Sequence, residues 1–124
     1  MAAGIFDGLT VVHESCEGGG WQARLRLEPS SRAFSGHFEG TPILPGIAHL
    51  VILRHALRAI AGPAARLIQV PAVRFRRIVG PGDVLDVTLA APDADGRCRF
   101  DVRVGDALAV TGIAVLAGRV GDTR

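Results

Sequence analysis

Ser35–Leu53 reads SGHFEGTPILPGIAHLVIL, and it constrains how the rest of the chain is arranged. His37 stands between Gly36 and Phe38 in a segment rich in Gly, Pro and Ser, and Pro45-Gly46 follows eight residues later. Pro45 lacks an N–H and suits the start of a helix. Gly46 has no side chain, so the leading amides of a helix beginning there stay approachable by a ligand. From Gly46 to about Ala61 the apolar residues follow the helical period. Ile47, Ala48, Leu50, Ile52, Leu53, Ala56, Leu57, Ala59 and Ile60 make a wide arc, and Arg54, His55 and Arg58 make a narrow polar one. A helix this widely apolar is buried on most sides. Gly62-Pro63-Ala64-Ala65 ends it.

On both sides of this region the period changes to two. Leu9 to Val12 reads as a short strand and CEGGG as a turn. WQARLRL then alternates Trp21, Ala23, Leu25 and Leu27 against Gln22, Arg24 and Arg26, so the pair predicts a hairpin. Residues 29–44 show no sustained period and read as a long ordered loop or a broken one, of a kind that is often functional in compact domains. After the helix, AVRFRRIV, VLDVTLA, CRFDVRV and LAVTGIAVLA read as strands separated by GPGD, PDADG and GDA turns, which predicts an antiparallel meander. One long helix with a sheet around it is an α+β architecture. The expectation is a single domain over 1–124, with its core at about 9–117 and a short flexible C-terminal tail.

Composition narrows the function classes. Among 124 residues, 48% are hydrophobic, yet no apolar run reaches the length of a membrane helix, and an apolar domain of this size is expected to bury surface against a second copy. The net charge of +2 comes almost wholly from arginine without a basic block, and aromatics are 5% with no tyrosine, which gives no stacking platform for nucleic acid. Cys16 and Cys98 have no metal-ligand spacing and read as reduced thiols. The N-terminus has no secretory pattern, so a cytoplasmic location is expected.

The motif Gly36, His37, Phe38, Glu39, Gly40, Pro42, Pro45 and Gly46, with VRFRRIVGPGDVLDV downstream, resembles the hotdog-fold dehydratases that act on 3-hydroxyacyl thioesters in fatty-acid and polyketide synthesis. The likeness spans roughly Leu9 to Ala117. It implies a curved sheet wrapped around one central helix. It also implies a homodimer with sites at the interface, substrate carried on acyl carrier protein or coenzyme A, and no other cofactor or metal. The family places Pro where this chain has Glu39. It also carries a helix carboxylate six residues after the motif Pro, where this chain has Val51, and a Gln four residues later, where it has His55.

Removing water from a 3-hydroxyacyl thioester needs a base beside the carbonyl, support for the enolate oxygen, and a proton for the departing hydroxyl. By the resemblance His37 is the base, its pKa range suited to neutral pH. The amides at Gly46 take the oxyanion role. With Val51 in place of the acid, His55, one turn further along the same face, is the first substitute, and Glu39 could instead orient His37. His49 falls on another face and reads as a satisfied core or interface histidine. Phe38, Ile43, Pro45, Ile47, Leu50 and Val51 are the expected substrate contacts. Arg74, Arg76 and Arg77 are expected to dock an acidic carrier protein or a phosphate, against the alternative of a solvated strand face. Three readings stay open: a dehydratase; a thioesterase or enoyl isomerase on the same scaffold; and a non-catalytic subunit that pairs with an acid-bearing hotdog partner.

Overall fold

The computed structural model of the chain describes residues 9–28, 46–80 and 82–117. Six strands and one helix follow in the order β1 (Leu9–Glu17), β2 (Gly20–Leu27), α1 (Gly46–Ala61), β3 (Arg66–Phe75), β4 (Val84–Leu89), β5 (Arg97–Val104) and β6 (Ala107–Ala117). They form one antiparallel sheet in the order β1-β2-β4-β5-β6-β3, with α1 against its inner face. This is the predicted hotdog arrangement.

Alternation explains the sheet. Trp21, Leu25 and Leu27 of β2, Leu85, Val87 and Leu89 of β4, and Cys98, Phe100 and Val102 of β5 point inward and are buried. They meet Ile52, Leu53, Ala56 and Leu57 of α1 in one core. On the outer face Arg24 pairs with Asp86 across β2 and β4 at 2.8 Å, an exposed contact worth little stability.

Three expectations need correction. The first strand runs on to Glu17 instead of ending at Val12, and the turn shrinks to Gly18-Gly19, both at positive φ (59° and 82°) as a tight hairpin turn requires. Its pairing slips between Val11 and His13, because Val11 faces Leu25 and His13 faces Arg24. Val12 is therefore an extra residue, a bulge that breaks the alternation on which the shorter strand was based.

The strand expected at AVRFRRIV begins earlier, at Arg66, and stops at Phe75. Pro71 lies inside it, tolerated because among the described residues β3 is an edge strand with one side free of the ladder. Only β4, β5 and β6 form the expected meander. β3 crosses to the far edge and pairs with β6.

Gly112 of β6 pairs with Val73 of β3 on one side and with Phe100 of β5 on the other. A Cβ there would overlap the Ala72 carbonyl oxygen and stand 2.7 Å from Cζ of Phe100. Neither a ladder carbonyl nor a buried ring can move away freely. Gly112→Ala should therefore destabilise the fold by about 1–3 kcal/mol, read as a lower urea midpoint. An unchanged midpoint would contradict this packing.

Candidate active site

The sheet covers only part of α1. On a wheel of about 100° per residue, Ala48, Ile52, Ala56, Leu53 and Leu57 face the core, whereas Leu50, Arg54, Arg58, Val51 and His55 form an uncovered stripe. Leu50, Arg54 and Arg58 are exposed, and Val51 and His55 are half-buried. Gly46 is the first residue of the helix, as expected from Pro45-Gly46. His37, Phe38, Ile43 and Pro45 lie outside the described residues, and so does Glu39.

His55 does not stand alone. Its Nε2 lies 2.7 Å from Oε1 of Glu14, and the indole Nε1–H of Trp21 donates to the same oxygen at 2.9 Å. The Trp21 and His55 rings meet edge to face, with centroids 5.9 Å apart and planes at 66°. Burial by itself would raise the Glu14 pKa. The hydrogen bonds from Trp21 and His55, with the charge of His55, outweigh it and hold the carboxyl below its usual range. Glu14 is thus an ionised acceptor at neutral pH.

Sequence reading missed Glu14, and the bulge is the reason. Regular alternation from Leu9 would turn Val11, His13 and Ser15 inward and send Glu14 to solvent. With Val12 as an extra residue, Glu14 pairs with Ala23 and Cys16 with Trp21, so both face the helix. Cys16 Sγ accordingly reaches the Ala59 carbonyl at 3.8 Å. The available signal was Trp21 itself, an inward indole whose N–H needs a buried acceptor.

On the other flank of the uncovered stripe, a cavity of about 500 Å³ opens between α1 and the inner face of β3, β5 and β6. Leu50, Leu53, Leu67, Ile68, Val70 and Phe100 line it, together with His49, Gln69, Val73, Phe75 and Val110. Its size and apolar walls suit a small apolar ligand. Of the expected acyl contacts, Leu50 borders it. Arg74 is the penultimate residue of β3, and Arg76 and Arg77 follow its end, all exposed, with the backbone amides of Arg76 and Arg77 both donating to the Ala109 carbonyl.

His49 is buried as expected but is not satisfied: among the described residues its Nδ1 has no hydrogen-bond partner, and its ring meets Phe75 edge to face at 5.7 Å. Burial lowers its pKa from 6.5 to about 4. A histidine that is harder to protonate in the fold contributes stability above about pH 6.5 that is lost as pH falls toward 4. Wild type should lose up to about 3 kcal/mol over that window relative to His49→Leu, read from unfolding midpoints against pH. Parallel pH curves for the two proteins would refute this.

A profile of ApeI-like dehydratases matches residues 13–113. The chain belongs to the ApeI-like dehydratase family. A 3-hydroxyacyl-[acyl-carrier-protein] dehydratase FabZ of Jannaschia sp. is 34% identical over 86 residues, covering 55% of this chain and 53% of that protein. The FabZ of Anaplasma phagocytophilum is 34% identical over 97 residues, covering 68% and 66%. The chain thus spans between about half and two thirds of the length of these curated relatives. The dehydratase heterocomplex ApeI:P from Xenorhabdus doucetiae superposes with a TM-score of 0.79 at 23% identity, over 86% of this chain and 96% of that one. That likeness confirms the hotdog fold of this ApeI-like member. The Glu14 carboxylate of β1 thus meets α1 at His55, one helical turn beyond Val51.

Proposed function

We propose that this chain removes water from 3-hydroxyacyl thioesters, with His37 as the base and the amides at Gly46 holding the enolate oxygen. The observation that carries this reading is the uncovered stripe of α1. It begins at the helix N-terminus and carries a carboxylate-bound imidazole, and an apolar cavity opens on its other flank. The cavity would take the acyl chain, leaving the thioester near the positive end of the helix dipole, where developing negative charge is favoured. Membership of the ApeI-like family and the FabZ relatives supports the reaction class.

The working form is a homodimer. β3 is an edge strand whose inner face exposes Ile68, Val73 and Phe75, and a second copy pairing along it would extend the sheet and cover both cavities. Each site would then unite His37 of one protomer with the helix stripe of its partner. Exposed Arg74, Arg76 and Arg77 supply the positive patch for an acidic carrier protein or the phosphate of its pantetheine arm.

Purified chain given a 3-hydroxyacyl thioester on acyl carrier protein should yield the enoyl thioester, seen by mass spectrometry as loss of one water with the thioester intact. Free thiol instead would identify a thioesterase. Activity only after adding a second hotdog protein would point to an assembly of two different chains, as in the ApeI:P dehydratase heterocomplex.

A further inference from the structure

We propose that Glu14 and His55 together form the proton-donating half of the site, with His55 carrying the proton and Glu14 positioning it, in place of the helix carboxylate that Val51 lacks. This rests on the dehydratase reading above and adds the residue pair that completes it.

Three observations converge. First, the Val12 bulge is what turns Glu14 toward the helix, so a local irregularity of β1 places a carboxylate on the one face of α1 that the sheet leaves open. Second, Oε1 of Glu14 accepts from both Trp21 and His55, at 2.9 and 2.7 Å, and buried Trp21 also braces the imidazole edge to face. Such double anchoring fixes ring orientation, as a carboxylate hydrogen-bonded to a catalytic histidine does. Third, His55 follows Val51 by four residues, one turn along the same stripe, and is half-exposed there, within reach of a ligand and of solvent protons.

Glu14 itself is a poor donor, because its two hydrogen bonds favour the ionised form. His55, half-exposed on the stripe, is the member of the pair that can reach substrate. With Nε2 engaged by Glu14, the proton offered to substrate is the one on Nδ1. In the reaction, His37 takes a proton from C2 of the acyl group. That C–H electron pair becomes the C2–C3 double bond as the C3–O bond breaks. The Nδ1 proton passes to the departing hydroxyl, which leaves as water. His37 then gives its proton to solvent, and His55 takes one back.

The test uses the full-length dimer and a short 3-hydroxyacyl pantetheine thioester. Glu14→Gln should lower kcat at least about 10-fold with KM little changed, because it removes a proton-transfer contribution and leaves binding intact. Glu14→Asp should recover part of the loss. His55→Ala should be at least as impaired as Glu14→Gln, and adding Val51→Glu to His55→Ala should restore turnover by returning an acid to the family position. As a readout apart from activity, the imidazole nitrogen signals should show His55 protonated at Nε2 and hydrogen-bonded in wild type, a signature lost in Glu14→Gln. Wild-type kcat in Glu14→Gln, alongside an inactive His37→Ala, would overturn this assignment and leave the dehydratase reading standing. Wild type as inactive as His37→Ala would overturn both.

Discussion

His37→Ala should lose dehydration by about 10²–10⁴-fold in kcat, the range that removing a general base produces, while the protein stays dimeric with an unchanged unfolding midpoint. The other three imidazoles sit in other settings. His55 is bound to Glu14, His49 is buried beside Phe75, and His13 pairs with Arg24 on β2 at a register that points away from the helix. Glutamine at position 37 should be as inactive as alanine, since it fills the space without accepting a proton at neutral pH. Activity surviving both substitutions would mean that the base lies elsewhere.

The second large effect concerns the free edge. β3 runs for ten residues along the sheet border, and Ile68 and Phe75 are 53% and 55% exposed in the single chain. A long edge with apolar side chains is a template for pairing, and natural proteins seldom leave one open. Ile68→Asp combined with Val73→Asp puts two charges per protomer into the proposed seam. The double variant should run as a monomer by light scattering and lose essentially all dehydration, because no monomer would hold a complete site. A fully active monomer would refute the shared site, and an unchanged dimer would place the interface elsewhere.

Much of the architecture was legible because it rests on periodicity. The α1 boundaries follow from Pro45-Gly46 at one end and Gly62 at the other, and β2 and β5 alternate cleanly enough to predict their buried faces. Misreadings cluster where a period is interrupted. The Val12 bulge shortened the expected β1, and Pro71 hid the first half of β3. The Glu14–His55 pair was illegible for a related reason. It joins residues 41 positions apart, and its formation depends on a one-residue slip that no side-chain pattern in HESCE discloses. The helix wheel places His55 on the same face as Val51, and the structure supplies its partner.

Central to the account is a site assembled from two protomers, with His37 on one and His55 on the other. Subunit complementation tests this most directly. His37→Ala and His55→Ala should each be nearly inactive alone, and both should remain dimers. Unfolded together and refolded as an equal mixture, half the dimers should be mixed, and each mixed dimer should hold one intact site of its two. The mixture should therefore recover roughly a quarter of wild-type turnover. Recovery of that size is the predicted result. A mixture no more active than its two components, although mixed dimers have formed, would place both groups in the same protomer and contradict the account.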